Sequence, residues 1–182
     1  MSNLTTAVMD RLSQLAEEVA LREGVKLYDM EFVGQGRQRT LRIFIDKVNG
    51  VSIDDCANVS RGLNLLLDAD DLIADAYELE VSSPGLERRL KQVWHFQSAL
   101  GKVVRIKTVS EVAIPPEAQF KSPPKIKTLE GELVSVSESD LVVNMQGMNW
   151  TVQMNNIHKA NMVFVEANSP HGKQKLNKKN KK

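Results

Sequence analysis

The chain has 182 residues, 42% of them hydrophobic and 26% charged, a globular composition with room for one ordinary domain or two small ones. No apolar run approaches the roughly 18 residues that cross a bilayer; the start MSNLTTAVMD has neither the basic nor the apolar part of a secretion signal, and a single cysteine cannot close an internal disulfide, so no membrane and a cytoplasmic protein are expected. The net charge of +1 hides a division, since residues 1–100 carry −5, residues 101–169 carry 0 and residues 170–182 carry +6, which suggests two kinds of partner or one mixed partner.

In chain order, Leu4, Val8, Leu12, Leu15 and Val19 recur at spacings of four and three, which predicts a helix over residues 3–23 with Gly24 as its left-handed cap. The period then changes to two. Tyr28, Met30 and Phe32 alternate with Asp29 and Glu31, and after the turn GQGRQRT the residues Leu41, Ile43 and Ile45 continue the alternation, a hairpin. Ser52 is a good N-cap, with Asp55 in the first turn, for a helix whose apolar stripe is Ile53, Cys56, Val59, Leu63, Leu66 and Leu67. Tyr77, Leu79 and Val81 alternate with Glu78, Glu80 and Ser82 as a third strand, and a short helix is expected from about Leu86 to Ala99. The first domain, residues 1–100, thus reads α-β-β-α-β-α with helices on one sheet face.

From Lys102 the pattern becomes KVVRIKT, IKTLEGELVSVS, DLVVNMQ, NWTVQM and MVFVE, five short strands that fit a small β-barrel over residues 101–168. Two Pro-Pro pairs mark residues 109–124 as a loop. Residues 169–182 are a Lys-rich tail with almost nothing apolar to bury, expected to be disordered in isolation.

No phosphate-loop, dinucleotide or serine-hydrolase motif occurs, and His95, His158 and His171 lack zinc-ligand spacing, so neither an enzyme nor a metal or cofactor is expected. Cys56 sits in a helix stripe beside Asp54 and Asp55, which suits a structural rather than a reactive thiol. The stretch VSSPGLERRL is the best binding element. Pro84-Gly85 makes a type II turn over Ser83 to Leu86, and a helix beginning there would aim free N–H groups at an anion, with the hydroxyls of Ser82 and Ser83 and the charges of Arg88, Arg89 and Lys91 beside them. The competing reading is plain turn chemistry with solvated charge, Glu87 pairing with Lys91.

Strand parity gives a second candidate. The sheet face away from the helices collects Asp29, Glu31, Asp46, Glu78 and Glu80, with Arg42 and Phe44 among them, a surface that repels nucleic acid and suits a basic protein. The alternative is simple solubility. In the tail, Lys173, Lys175, Lys178, Lys179, Lys181 and Lys182 can attract a polyanion without sequence preference.

Taken together, LRIFID at 41–46, VSIDDCANVSRGLN at 51–64 and above all YELEVSSPGLERRLKQ at 77–92 resemble the bacterial ribosome maturation factor RimP family. One departure is Arg89, where that family usually has proline. The resemblance implies an α+β protein: a KH-like N-terminal domain, although no G-x-x-G loop is present, followed by an SH3-like or Sm-like barrel. It also implies a non-catalytic role in assembling the small ribosomal subunit. The implied partners are immature small subunits, small-subunit ribosomal RNA and a basic small-subunit protein near the decoding centre, with the chain itself a monomer. A free-standing RNA-binding regulator or RNA chaperone is the rival.

Overall fold

The computed structural model describes residues 4–35, 38–116, 118 and 124–165. The Lys-rich tail lies outside the described residues. Contacts divide the chain into two compact units, residues 1–85 and 86–182, each with its own core.

The first unit runs α1 (Thr6–Arg22), β1 (Lys26–Gln35), β2 (Gln38–Asp46), α2 (Ile53–Asp70) and β3 (Glu78–Ser82). The apolar stripe of α1 buries Leu12, Leu15 and Val19, and the helix ends in a Schellman arrangement, with Gly24 at φ +68° and the Val25 N–H donating to Ala20 O at 3.0 Å. Helix α2 starts at a capping box: Ser52 Oγ accepts from Asp55 N and the Asp55 carboxylate accepts from Ser52 N. Its first residue, Ile53, was expected in the apolar stripe but is exposed, because the cap turns that position to solvent. The sheet order is β1-β2-β3, with β1 antiparallel and β3 parallel to β2. Leu41, Ile43 and Ile45 of β2 are buried between the two helices and the flanking strands. A bulge in β1 pairs Leu27 with Ile45 and Asp29 with Phe44, leaving Tyr28 as the extra residue. Tyr28, expected beside Met30 under the helices, is therefore buried outside that cluster, and Leu27 takes its place there.

The second unit contains α3 (Val93–Ser98) and strands β4 (Val103–Thr108), β5 (Thr128–Val136), β6 (Asp140–Met145), β7 (Met148–Gln153) and β8 (Ile157–Met162), with a 3-10 turn at Met154–Asn156. The strands form one antiparallel sheet in the order β7-β6-β5-β4-β8. Its core gathers Val104, Ile106, Leu129, Leu133, Leu141, Val143 and Trp150, all essentially inaccessible to solvent. Leu90, Phe96 and Ala99 also pack here. Residues 86–100, read from the sequence with the first domain, thus belong by packing to the second unit.

Two further expectations change. The short helix covers only Val93–Ser98, since residues 87–90 run alongside β8 instead: Leu90 N donates to Ala160 O at 2.9 Å and Met162 N to Arg88 O at 3.0 Å. The last strand is Ile157–Met162 rather than the apolar MVFVE, whose Phe164 and Val165 are exposed. In the Pro-rich segment Val112 is buried in the second core and its N–H donates to Ile126 O. Among the described residues no helix is long and apolar enough to cross a membrane.

Candidate nucleic-acid interface

The strand ending in SSPG stops where β3 leaves the sheet, with Ser82 exposed opposite Phe44. Gly85 has φ +74°, the value a type II turn demands at its third position, and its N–H donates to Ser83 Oγ at 3.3 Å. One lone pair of Ser83 is thus occupied by the turn itself. Ser82 and Ser83 belong to the first unit, whereas Arg88, Arg89 and Lys91 belong to the second. The expected helix N-terminus next to the hydroxyls does not form, because α3 begins only at Val93.

The cations are instead carried on an extended strip fixed at every step. Asn161 Nδ2 donates to Glu87 O at 3.2 Å, Arg89 pairs with Asn161 as an isolated antiparallel bridge, and Leu90 is buried. Beyond it, the wholly buried His95 accepts at Nδ1 from Lys91 N at 3.0 Å and Gln92 N at 3.3 Å. That acceptor role places the imidazole proton on Nε2. The strip covers the outer edge of β8, and a groove of about 290 Å³ lies between it and the start of β8. Arg89, Lys91, His158 and Lys159 line the groove together with the apolar Val93 and Ile157.

Sequence reading missed the continuation of this surface. On β4, Arg105 and Lys107 are exposed between the buried Val104, Ile106 and Thr108. Register places Arg105 opposite Asn161 and Lys107 opposite Lys159, and a shift at Thr108 leaves His158 as the extra residue on β8. Arg105 is paired with Glu130 at 2.7 Å, which with the charge of Glu87 pushes its guanidinium further up. Among the described residues neither Lys107 nor Lys159 has an ion pair, so two like charges face each other across adjacent strands at a cost of about 0.2–1 kcal/mol. The exposure of Lys107 was readable from the alternation in KVVRIKT. Its partner was not, because the last strand was placed five residues too late.

The acidic face of the first unit is assembled as strand parity expects, and it is ordered in rows. Glu31, Arg42 and Glu80 stand side by side across the three strands, with Arg42 Nε 2.7 Å from Glu80 Oε2. Lys26 stands opposite Asp46, Thr40 opposite Glu78, and Asp29 opposite Phe44. At the entrance to α2, Lys47 Nζ lies 2.8 Å from Asp55, and that contact with the hydrogen bonds of Ser52 holds the carboxyl at about 2. The same carboxylate and, more strongly, burial push the Cys56 thiol up, which disfavours the thiolate.

These features define a two-unit α+β protein with an acidic sheet face on one unit and a cationic edge on the other. Residues 15–87 match the family model of the RimP N-terminal domain, which is nearly the whole of the first unit. That match supports the RimP family for the first unit.

Proposed function

We propose that this protein is a non-catalytic, cytoplasmic factor that binds immature small ribosomal subunits and assists their assembly, acting as a monomer. The observation that carries the reading is the RimP N-terminal domain at residues 15–87. In the finer reading the first unit is KH-like but grips RNA without a G-x-x-G loop. The second is an SH3-like barrel: a four-strand meander with β8 returning beside β4 through a 3-10 turn supports that assignment.

In this reading Arg88, Arg89 and Lys91 contact ribosomal RNA phosphates, with Ser82 and Ser83 assisting. The face bearing Asp29, Glu31, Asp46, Glu78 and Glu80 engages a basic small-subunit protein near the decoding centre. Phosphate contacts position a partner without specifying it, so selectivity falls to shape and to the protein contact. Tagged protein is expected to co-sediment with immature small subunits and not with mature ones, and cells lacking it to accumulate immature particles. Tight binding to RNA with no preference for ribosomal precursors would instead favour a free-standing regulator.

A further inference from the structure

We propose that the second unit holds one unpaired nucleotide of an RNA strand, the base in the groove beside β8 and the flanking phosphates on the cation rows of β8 and β4. This deepens the RNA-binding part of the function proposed above and rests on it for the choice of polyanion.

Strand register gathers positive charge at this rim. The groove rim carries Arg89, Lys91 and Lys159, and Lys107 extends the same cationic field one strand further, directly opposite Lys159. Adjacent strands lie about 4.8 Å apart, so the Lys107–Lys159 pair concentrates two positive charges within the reach of one phosphate or two neighbouring ones. An anion between them removes the repulsion that the fold otherwise retains. His158, displaced from the regular register, adds a ring N–H donor at the same rim.

The size and lining argue for a single base. At about 290 Å³ the groove lies at the lower edge of small-ligand sites, roughly 300–1,000 Å³, the scale of one nucleotide and not of a helix. Its walls include the half-buried Val93 and Ile157, an apolar surface for a base released from its stack. An acidic peptide would share the attraction to the rim, but its usual mode, adding a strand to a sheet edge, is closed from Ala160 to Met162, which leaves only Ile157–Lys159 beside the groove. The β8 edge is already hydrogen-bonded to Arg88 and Leu90.

The test is fluorescence anisotropy of the full-length chain with a labelled single-stranded oligouridylate. The Lys107→Gln, Lys159→Gln double variant, its fold checked by circular dichroism, is expected to bind about tenfold more weakly at low salt. Its plot of log K against log salt should be shallower by about 1.4, the share of two single-strand phosphate contacts. Duplex RNA and polyglutamate of similar length should compete poorly. Unchanged affinity and slope in the variant, no binding by the wild type, or equal competition by duplex or polyglutamate would each overturn the proposal. Particle co-sedimentation separates this from the broader reading: a chain that sediments with immature subunits but shows no lysine dependence loses only the nucleotide site. One that binds the oligonucleotide through these lysines yet ignores the particles keeps the site and loses the assembly role.

Discussion

The two sheets treat surface charge in opposite ways. In the first unit each acidic row is interleaved with a cation or a neutral residue, Glu31–Arg42–Glu80 being the clearest case, so the face is negative overall but locally compensated. In the second unit Arg105 has Glu130, yet Lys107 faces Lys159 with no acid in the row, the third position being Thr128. Compensation serves the fold of the protein that carries it. An uncompensated pair is a small standing cost that a ligand can remove, which is why the second surface points more directly to a binding event.

The largest effect is expected at Arg42, the compensating residue at the centre of the acidic face. Arg42→Glu would line up three acids across three strands, creating two directly opposed like-charge pairs and losing the Glu80 contact. A destabilisation of about 1–2 kcal/mol is expected at low salt, seen as an earlier denaturation midpoint for the first unit. Raising the salt should shrink the difference, because the side chains of Arg42 and Glu80 are both well exposed. A loss unaffected by salt would mean that Arg42 acts through packing, and the contrast between the sheets would lose its electrostatic basis.

A milder effect, confined to the first unit, is expected on lowering the pH. Asp55 is held at about 2, below its ordinary 3.8, by Lys47 and the Ser52 cap. Because the folded value is the lower one, the stabilisation it contributes is complete above about pH 4 and disappears as the pH falls toward about 2. Asp55→Asn should therefore flatten the acid limb of the stability profile in that window, as read by chemical denaturation at several pH values. Substitution of Lys107 or Lys159 should leave this limb unchanged.

Much of this contrast was legible in the sequence, and the part that was not has a common cause. Alternation in Tyr77–Ser82 and Leu41–Ile45 gave strand faces, and the acids opposite them followed from parity alone. The Ser52–Asp55 cap and the Gly24 stop were readable because they are local. What failed involved partners remote in sequence. Residues 86–92 carry no helix breaker of their own, and hydrogen bonds to Ala160, Asn161, Met162 and His95 draw them into an extended strip. Strand β8, IHKANM, buries only Ala160 fully and so lacks an apolar signal, while the neighbouring MVFVE has the signal without the pairing. The cation rows depend on both segments, so Lys159 and its alignment with Lys107 could not be seen until the strands were paired. Tyr28 was misassigned for a related reason: a bulge shifts parity by one residue and leaves no mark in composition.

The smallest expected effect is also the most discriminating, because its sign is unusual. Lys159→Glu would place an acid directly opposite Lys107 and convert the repulsive row into a cross-strand ion pair. For an exposed pair the gain is a few tenths to about 1 kcal/mol, so the second unit should become slightly more stable, with a midpoint shifted upward in a thermal melt. The same change removes a positive charge from the groove rim and adds a negative one, so binding of single-stranded RNA should fall. Most substitutions that impair binding at a surface leave stability unchanged or lower it. Stability gained together with affinity lost is the signature of a residue kept for its ligand at the expense of the fold, whereas a variant that became less stable would show that the Lys107–Lys159 repulsion is already dissipated in solvent and has no functional weight.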